Sequence, residues 1–222
     1  MSFFITFEGI DGCGKTTQLE LLRAWFDSRG QSVVTTREPG GTALAEAIRD
    51  YLLHSQNALA ARSELLLFGA ARAQHVAEVI RPALERNAVV LCDRFADSSL
   101  AYQGGGLGLD MDFIRRLNAF ATDGLQPAAT FLLDVDPELG RQRRQKLGYE
   151  DRIEKRGPDF QERVRSAFLT IARNAPERVA VVDGSLPAQA VHDHIRQVLQ
   201  ERGLVAGQRR EQNDRVRQRE GA

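Results

Sequence analysis

Gly9, Ile10, Asp11, Gly12, Cys13, Gly14, Lys15 and Thr16, with Thr17 behind them, concentrate phosphate-binding chemistry in one short stretch. Glycines let successive backbone N–H groups turn inward on an anion, and a helix beginning at the lysine adds the positive end of its dipole. The stretch follows an apolar run and precedes a helical pattern, the context a P-loop requires. In that context Lys15 reaches the β and γ phosphates of a nucleoside triphosphate and Thr16 offers an oxygen to Mg²⁺. A second run, Ala88 to Asp93, is an apolar strand ending in a carboxylate able to hold Mg²⁺ or its waters. On its own it reads equally as a strand followed by a turn Asp capping a helix. Arg94 follows directly, and Arg37 opens a turn containing Pro39, Gly40 and Gly41. A kinase for a phosphorylated acceptor must hold two polyanions in line, and these arginines are candidates for the acceptor side.

The elements that position these residues read as an α/β domain. Short apolar runs at Phe3 to Phe7, Val33 to Thr36, Ala88 to Cys92, Thr130 to Val135 and Val179 to Val182 predict strands buried on both faces. Leu19, Leu22 and Phe26 predict one buried helix face, and Ile114, Leu117 and Phe120 another. The expected fold is a three-layer P-loop kinase fold, with a five-stranded parallel sheet, helices on both faces and a short lid. In such sheets ligands sit beyond the carboxyl ends of the strands.

The chain has 222 residues, enough for one domain with a sizeable core; residues 1–203 are expected to form it and 204–222 a charged, disordered tail. Lys plus Arg and Asp plus Glu are 30 each, so the net charge of zero argues against a nucleic-acid coat protein. Two cysteines, Cys13 and Cys92, make no disulfide framework and fit a reducing cytoplasm. No apolar run approaches membrane-spanning length. His54, His75, His192 and His194 form no ligand set and read as structural or surface residues.

Taken together, the loop from Gly9 to Thr17, the segment Thr36 to Thr42, Asp93-Arg94-Phe95 and Ala101 to Gly106 resemble bacterial thymidylate kinases in order and spacing, over Phe3 to about Leu199. The resemblance implies ATP-dependent phosphorylation of dTMP to dTDP on the way to dTTP, with Mg²⁺, in a homodimer. It places Asp11 near the acceptor 3′-hydroxyl and the metal, beside the metal-holding Thr16 and Asp93, and gives Arg37 and Arg94 the acceptor phosphate. Phe68 matches a thymine-stacking ring and Arg72 a donor to a thymine carbonyl. Tyr102 matches a ring crowding the ribose 2′ position, and Ser99 and Gln103 contacts to the base edge. Without the resemblance, Phe68 reads as core beside Leu65, Leu66 and Leu67. Asp183, Gly184 and Ser185 fall where such kinases hold adenine. The basic segment at about 141–155 resembles the lid. Because Gly12 stands where one subclass carries a catalytic Arg, the lid is expected to supply the cation: Arg143 first, with Arg144 and Lys146 next, and an Arg at position 12 is expected to substitute in part. Leu147 and Leu107 stand where relatives often have Arg.

Other readings are a P-loop switch protein, a kinase for another monophosphate or a nucleoside, and a non-catalytic scaffold. The guanine-reading Asn-Lys-x-Asp segment of GTPases does not occur in the sequence, and two arginines placed for an acceptor phosphate disfavour a nucleoside.

Overall fold

The computed structural model describes residues 2–146 and 152–205. Five parallel strands, β1 (Phe3–Glu8), β2 (Val33–Arg37), β3 (Val89–Asp93), β4 (Ala129–Asp134) and β5 (Val179–Asp183), lie in the order β2-β3-β1-β4-β5. The register pairs Phe7 with Asp93 and Arg37 with Asp93, so the carboxyl ends of β1, β2 and β3 finish level. The Gly9 loop, Glu38 and Arg94 therefore leave the sheet side by side.

The central strands β1, β3 and β4 are buried nearly throughout, as a two-sided cover demands. The outer strands depart from expectation: β2 is only partly covered, and Val181 of β5 is exposed. An apolar run reads alike in a central and an edge strand, but only the central one has helices over both faces.

Helix α1 (Lys15–Asp27) buries Leu19, Leu22 and Phe26 as predicted; each contributes roughly 1.5–3 kcal/mol of apolar burial. Helix α2 (Ala43–His54) starts at Thr42, whose Oγ1 accepts from the Ala45 N–H. Helix α3 (Ala61–His75) runs through a wide turn (Val76–Ile80) into α4 (Arg81–Glu85). Past β3, α5 (Ala96–Ser99) widens into a π turn (Leu100–Gly106), and α6 (Met111–Thr122) follows. On α6 Ile114 is buried but Phe120 is 86% exposed, so the threefold spacing did not mark a single inner face; Asn118, Ala121 and Thr122 complete it instead. Helix α7 (Pro137–Gln145) carries the start of the basic segment, and α8 (Pro158–Asn174) and α9 (Ala188–Glu201) close the domain.

Leu204 and Val205 pack partly buried on the main core, so the folded part extends two residues past the expected boundary. The rest of the expected tail, 206–222, and Leu147 with the adjoining lid residues 148–151 lie outside the described residues. No helix among the described residues is long and apolar enough to cross a membrane.

Candidate active site

Gly14, in a left-handed conformation, turns the chain into α1, which begins with neither a side-chain cap nor an acidic residue in its first turn. Its first N–H groups are thus left for an anion. A cleft of about 530 Å³ opens over them, lined by Asp11 through Gln18, Arg37, Arg94, Arg143 and Arg144. Gly9 and Ile10 sit just beneath: their carbonyls accept from the Lys15 ammonium at 3.2 and 3.0 Å. Glycine is required at position 12. Its φ is +80°, and a Cβ there would lie 2.2 Å from the Gly140 carbonyl oxygen. An Arg at position 12, the expected stand-in for a lid cation, would therefore require the α7 backbone at Gly140 to shift.

Asp93 accepts from the Thr16 hydroxyl at 3.3 Å through Oδ2, while its Oδ1 is buried without a hydrogen-bond partner. An unsatisfied carboxylate oxygen beside a hydroxyl, at the mouth of a phosphate cleft, suits a divalent cation or its waters.

Arg94 adopts φ +70°, an uncommon left-handed conformation for a side-chain-bearing residue, and its guanidinium reaches back across β1. It donates to Asp11 Oδ1 at 2.6 Å, to the Gly9 carbonyl at 2.9 Å and to Ser98 Oγ at 3.3 Å, and lies 5.0 Å from the Tyr102 ring centre. Tyr102 donates its hydroxyl to Asp11 Oδ2 at 3.2 Å. Burial works against the Asp11 charge, but Arg94, Lys15 and Arg144 outweigh it and hold the carboxyl well below the usual range. Glu8, at the end of β1, is the opposite case. Burial and the nearby Asp97 push its pKa up to about 7 against Arg94 and hydrogen bonds from Ser98 and the Phe95 N–H.

A second pocket of about 90 Å³ adjoins the first, lined by Phe68, Ser98, Ser99, Tyr102, Gln103 and Ile153 among others. The two cavities share Asp11, Glu38, Arg49 and Arg94. Phe68 is half-buried at this wall. Leu65 beside it is core, but Leu66 is 53% exposed, which corrects its reading as core.

Two residues, Arg72 and Arg143, sit differently from the sequence reading. Arg72 is fully buried behind the pocket, donating to Glu38, Ser99, Asn118 and the Phe95 carbonyl. It supports Ser99 rather than lining the wall. Arg37 lines the first cleft, with its guanidinium held by Glu46. Arg143 donates to the carbonyls of Gly184 and Ser185, which ties α7 to the loop after β5, whereas Arg144 lies at the cleft near Asp11. His75 is structural, bonded to Thr36 and Glu38.

Glu8, Glu38, Arg49 and Ser98 escaped sequence reasoning. Glu38 stands inside a recognisable turn, next to Pro39, and its place beside an Arg already singled out was the available signal. Arg49 gave none, being one charge on a helical face.

A P-loop and a strand-end carboxylate, joined at an Asp–Arg pair to a second, base-sized pocket, define a P-loop kinase of small phosphorylated acceptors. Comparison with known proteins narrows that class: residues 7–195 match the family model described as "Thymidylate kinase". The chain belongs to the thymidylate kinase family. It is 54% identical over 192 residues to the thymidylate kinase of Bifidobacterium longum strain DJO10A, covering 85% of this chain and 92% of that one. With the Gloeobacter violaceus enzyme identity is 50% over 195 residues, covering 87% and 92%. The crystal structure of thymidylate kinase from Ehrlichia chaffeensis superposes with a TM-score of 0.75 at 40% identity, covering 90% of this chain and 99% of that one.

Proposed function

We propose that the chain, a thymidylate kinase, carries the terminal phosphoryl group of ATP to the phosphate of dTMP by in-line transfer, with no covalent intermediate on the protein. The shared wall of the two cavities carries this reading, since two substrates can meet end to end only where their sites join. Lys15 and the α1 N–H groups hold the donor phosphates, and the loop from Asp183 to Ser185 borders the adenine. Arg94, with Arg37 and the newly recognised Arg49, faces the acceptor phosphate. Phe68 stacks on the thymine, Ser99 and Gln103 meet its edge, and Tyr102 crowds the 2′ position in favour of deoxyribose. Thr16 and Asp93 would hold Mg²⁺, which when bound neutralises charge developing on the phosphate oxygens. Asp11 is committed to Arg94 and Tyr102 and acts as their anchor near the sugar. The two buried free cysteines suit a reducing cytoplasm.

The cation for the transferring group is better assigned to Arg144 than to Arg143. Arg143 is bound to the adenine-side loop, while the charge of Arg144 reaches Asp11 at the junction. An added arginine on a transferring phosphoryl group is worth roughly 10³-fold or more in rate. We therefore expect Arg144→Ala to lower kcat about that far, and Arg143→Ala mainly to raise the KM for ATP. Steady-state kinetics on both variants check this; a larger kcat loss in Arg143→Ala would reverse the assignment.

A homodimer fits the surface. Phe113 and Phe120 stand seven residues apart on one face of α6, exposed, with exposed Leu66 on the α3 that packs against it. A second copy is the occupant that the family resemblance supplies.

A further inference from the structure

Glu64 lies in the first turn of α3 with no solvent exposure, an unusual place for a carboxylate. Its Oε1 accepts from Gln103 Nε2 at 2.9 Å and from Arg156 at 3.2 Å, and its Oε2 accepts from Arg152 at 2.7 Å and again from Arg156. Burial opposes the charge, yet the bonds from Arg156, Arg152 and Gln103 hold the carboxyl below its ordinary range. An ionised carboxylate has no hydrogen to give, so it accepts only. The Gln103 amide can therefore meet Glu64 only with its NH₂, and its oxygen must turn away. No described residue donates to that oxygen, and the side chain lines the small pocket.

We propose that Glu64 is a positioning residue for acceptor specificity: by fixing which way the Gln103 amide points, it makes the pocket present an acceptor and so select a base edge bearing an N–H. This rests on reading the small pocket as the acceptor-base site. Thymine and uracil carry N–H at ring position 3; cytosine carries a lone pair there and is repelled. The same carboxylate anchors the returning end of the lid. Arg152, bonded to Glu64, also donates to the carbonyls of Leu52 and Leu53 at the end of α2, and Ile153 beside it lines the pocket. One buried charge thus sets both the amide at the pocket wall and the segment at its rim.

The test is kcat/KM for dTMP and dCMP in the parent, Glu64→Gln and Glu64→Asp, with melting temperatures alongside. In Glu64→Gln the two arginines, which can only donate, take the remaining oxygen, leave an NH₂ facing Gln103 and turn its amide over. We expect the dTMP-to-dCMP preference to fall at least tenfold, mostly through KM for dTMP. Glu64→Asp still only accepts, and should lower both acceptors alike. A folded Glu64→Gln with the parent preference, or Glu64→Asp shifting it as far, would overturn the proposal. Should Glu64→Gln not fold, ¹⁵N NMR of the parent decides. The Gln103 NH₂ signal, identified by its loss in Gln103→Leu, should be slow to exchange and little shifted by dTMP; a large dTMP-induced shift would show the NH₂ facing the base. A parent with no preference for dTMP over dCMP would contradict the acceptor reading itself.

Discussion

Glu8 shows how one side chain beneath the site can tie the fold to pH. Its carboxylate accepts from the N–H groups of Phe95 and Ser98 and from the Ser98 hydroxyl, and so holds the short helix α5 that follows Arg94. Its pKa is near 7 in the folded chain, against an ordinary 4.5. Between those values the folded protein keeps a proton that the unfolded chain has lost. The stabilisation is therefore complete below about pH 4.5 and is lost as pH rises through 7, by up to about 3 kcal/mol. Urea unfolding at pH 5, 6, 7 and 8 should show the parent losing stability over that range and Glu8→Gln losing about 3 kcal/mol less. Equal slopes would contradict the buried, proton-holding state. Asp11, whose pKa is depressed, titrates below this window and leaves it undisturbed. The contrast also shows what the sequence could tell about residues. The roles given to Lys15, Thr16 and Asp93 rest on local order, strand then loop then helix, and local order is what a sequence displays. Glu8 and Glu64 act through partners tens of residues away, and nothing in their own neighbourhood announces those contacts.

At the scale of elements, α7 touches the phosphate loop backbone to backbone. Gly140 faces Gly12, and a Cβ on Gly140 would come within 2.7 Å of the Asp11 carbonyl oxygen. Both positions must lack side chains for Arg143 and Arg144 to reach the cleft. Gly140→Ala should displace α7, destabilise the domain by roughly 1–3 kcal/mol and lower kcat more than tenfold. Thermal unfolding and steady-state rates check both effects; unchanged values would mean that α7 has room to spare. The strands were legible to within a residue or so because long apolar runs mark burial well. The same runs could not separate the edge strands β2 and β5 from the central ones. On α6, the spacing of Ile114, Leu117 and Phe120 read as one buried face, yet Phe120 faces outward, as does Phe113. Period fixes a face, but whether that face meets this chain or another depends on tertiary packing.

Across the whole molecule, the level carboxyl ends of β1, β2 and β3 bring the donor loop, the Glu38 turn and Arg94 to one place, and the two cavities meet there. The exposed face on α3 and α6 supplies the other large-scale expectation. Phe120→Asp should convert a dimer to a monomer in sedimentation velocity at micromolar concentration, and a dimer that persisted would place the contact elsewhere. The acceptor is decided by coupled ADP release across dTMP, dUMP, UMP, CMP, AMP and thymidine. Turnover should be fastest with dTMP, slower with dUMP by a factor consistent with one methyl group, about 1–3 kcal/mol, far lower with the ribonucleotides, and absent with thymidine for want of an acceptor phosphate. Turnover highest with AMP, CMP or thymidine would contradict dTMP as the acceptor.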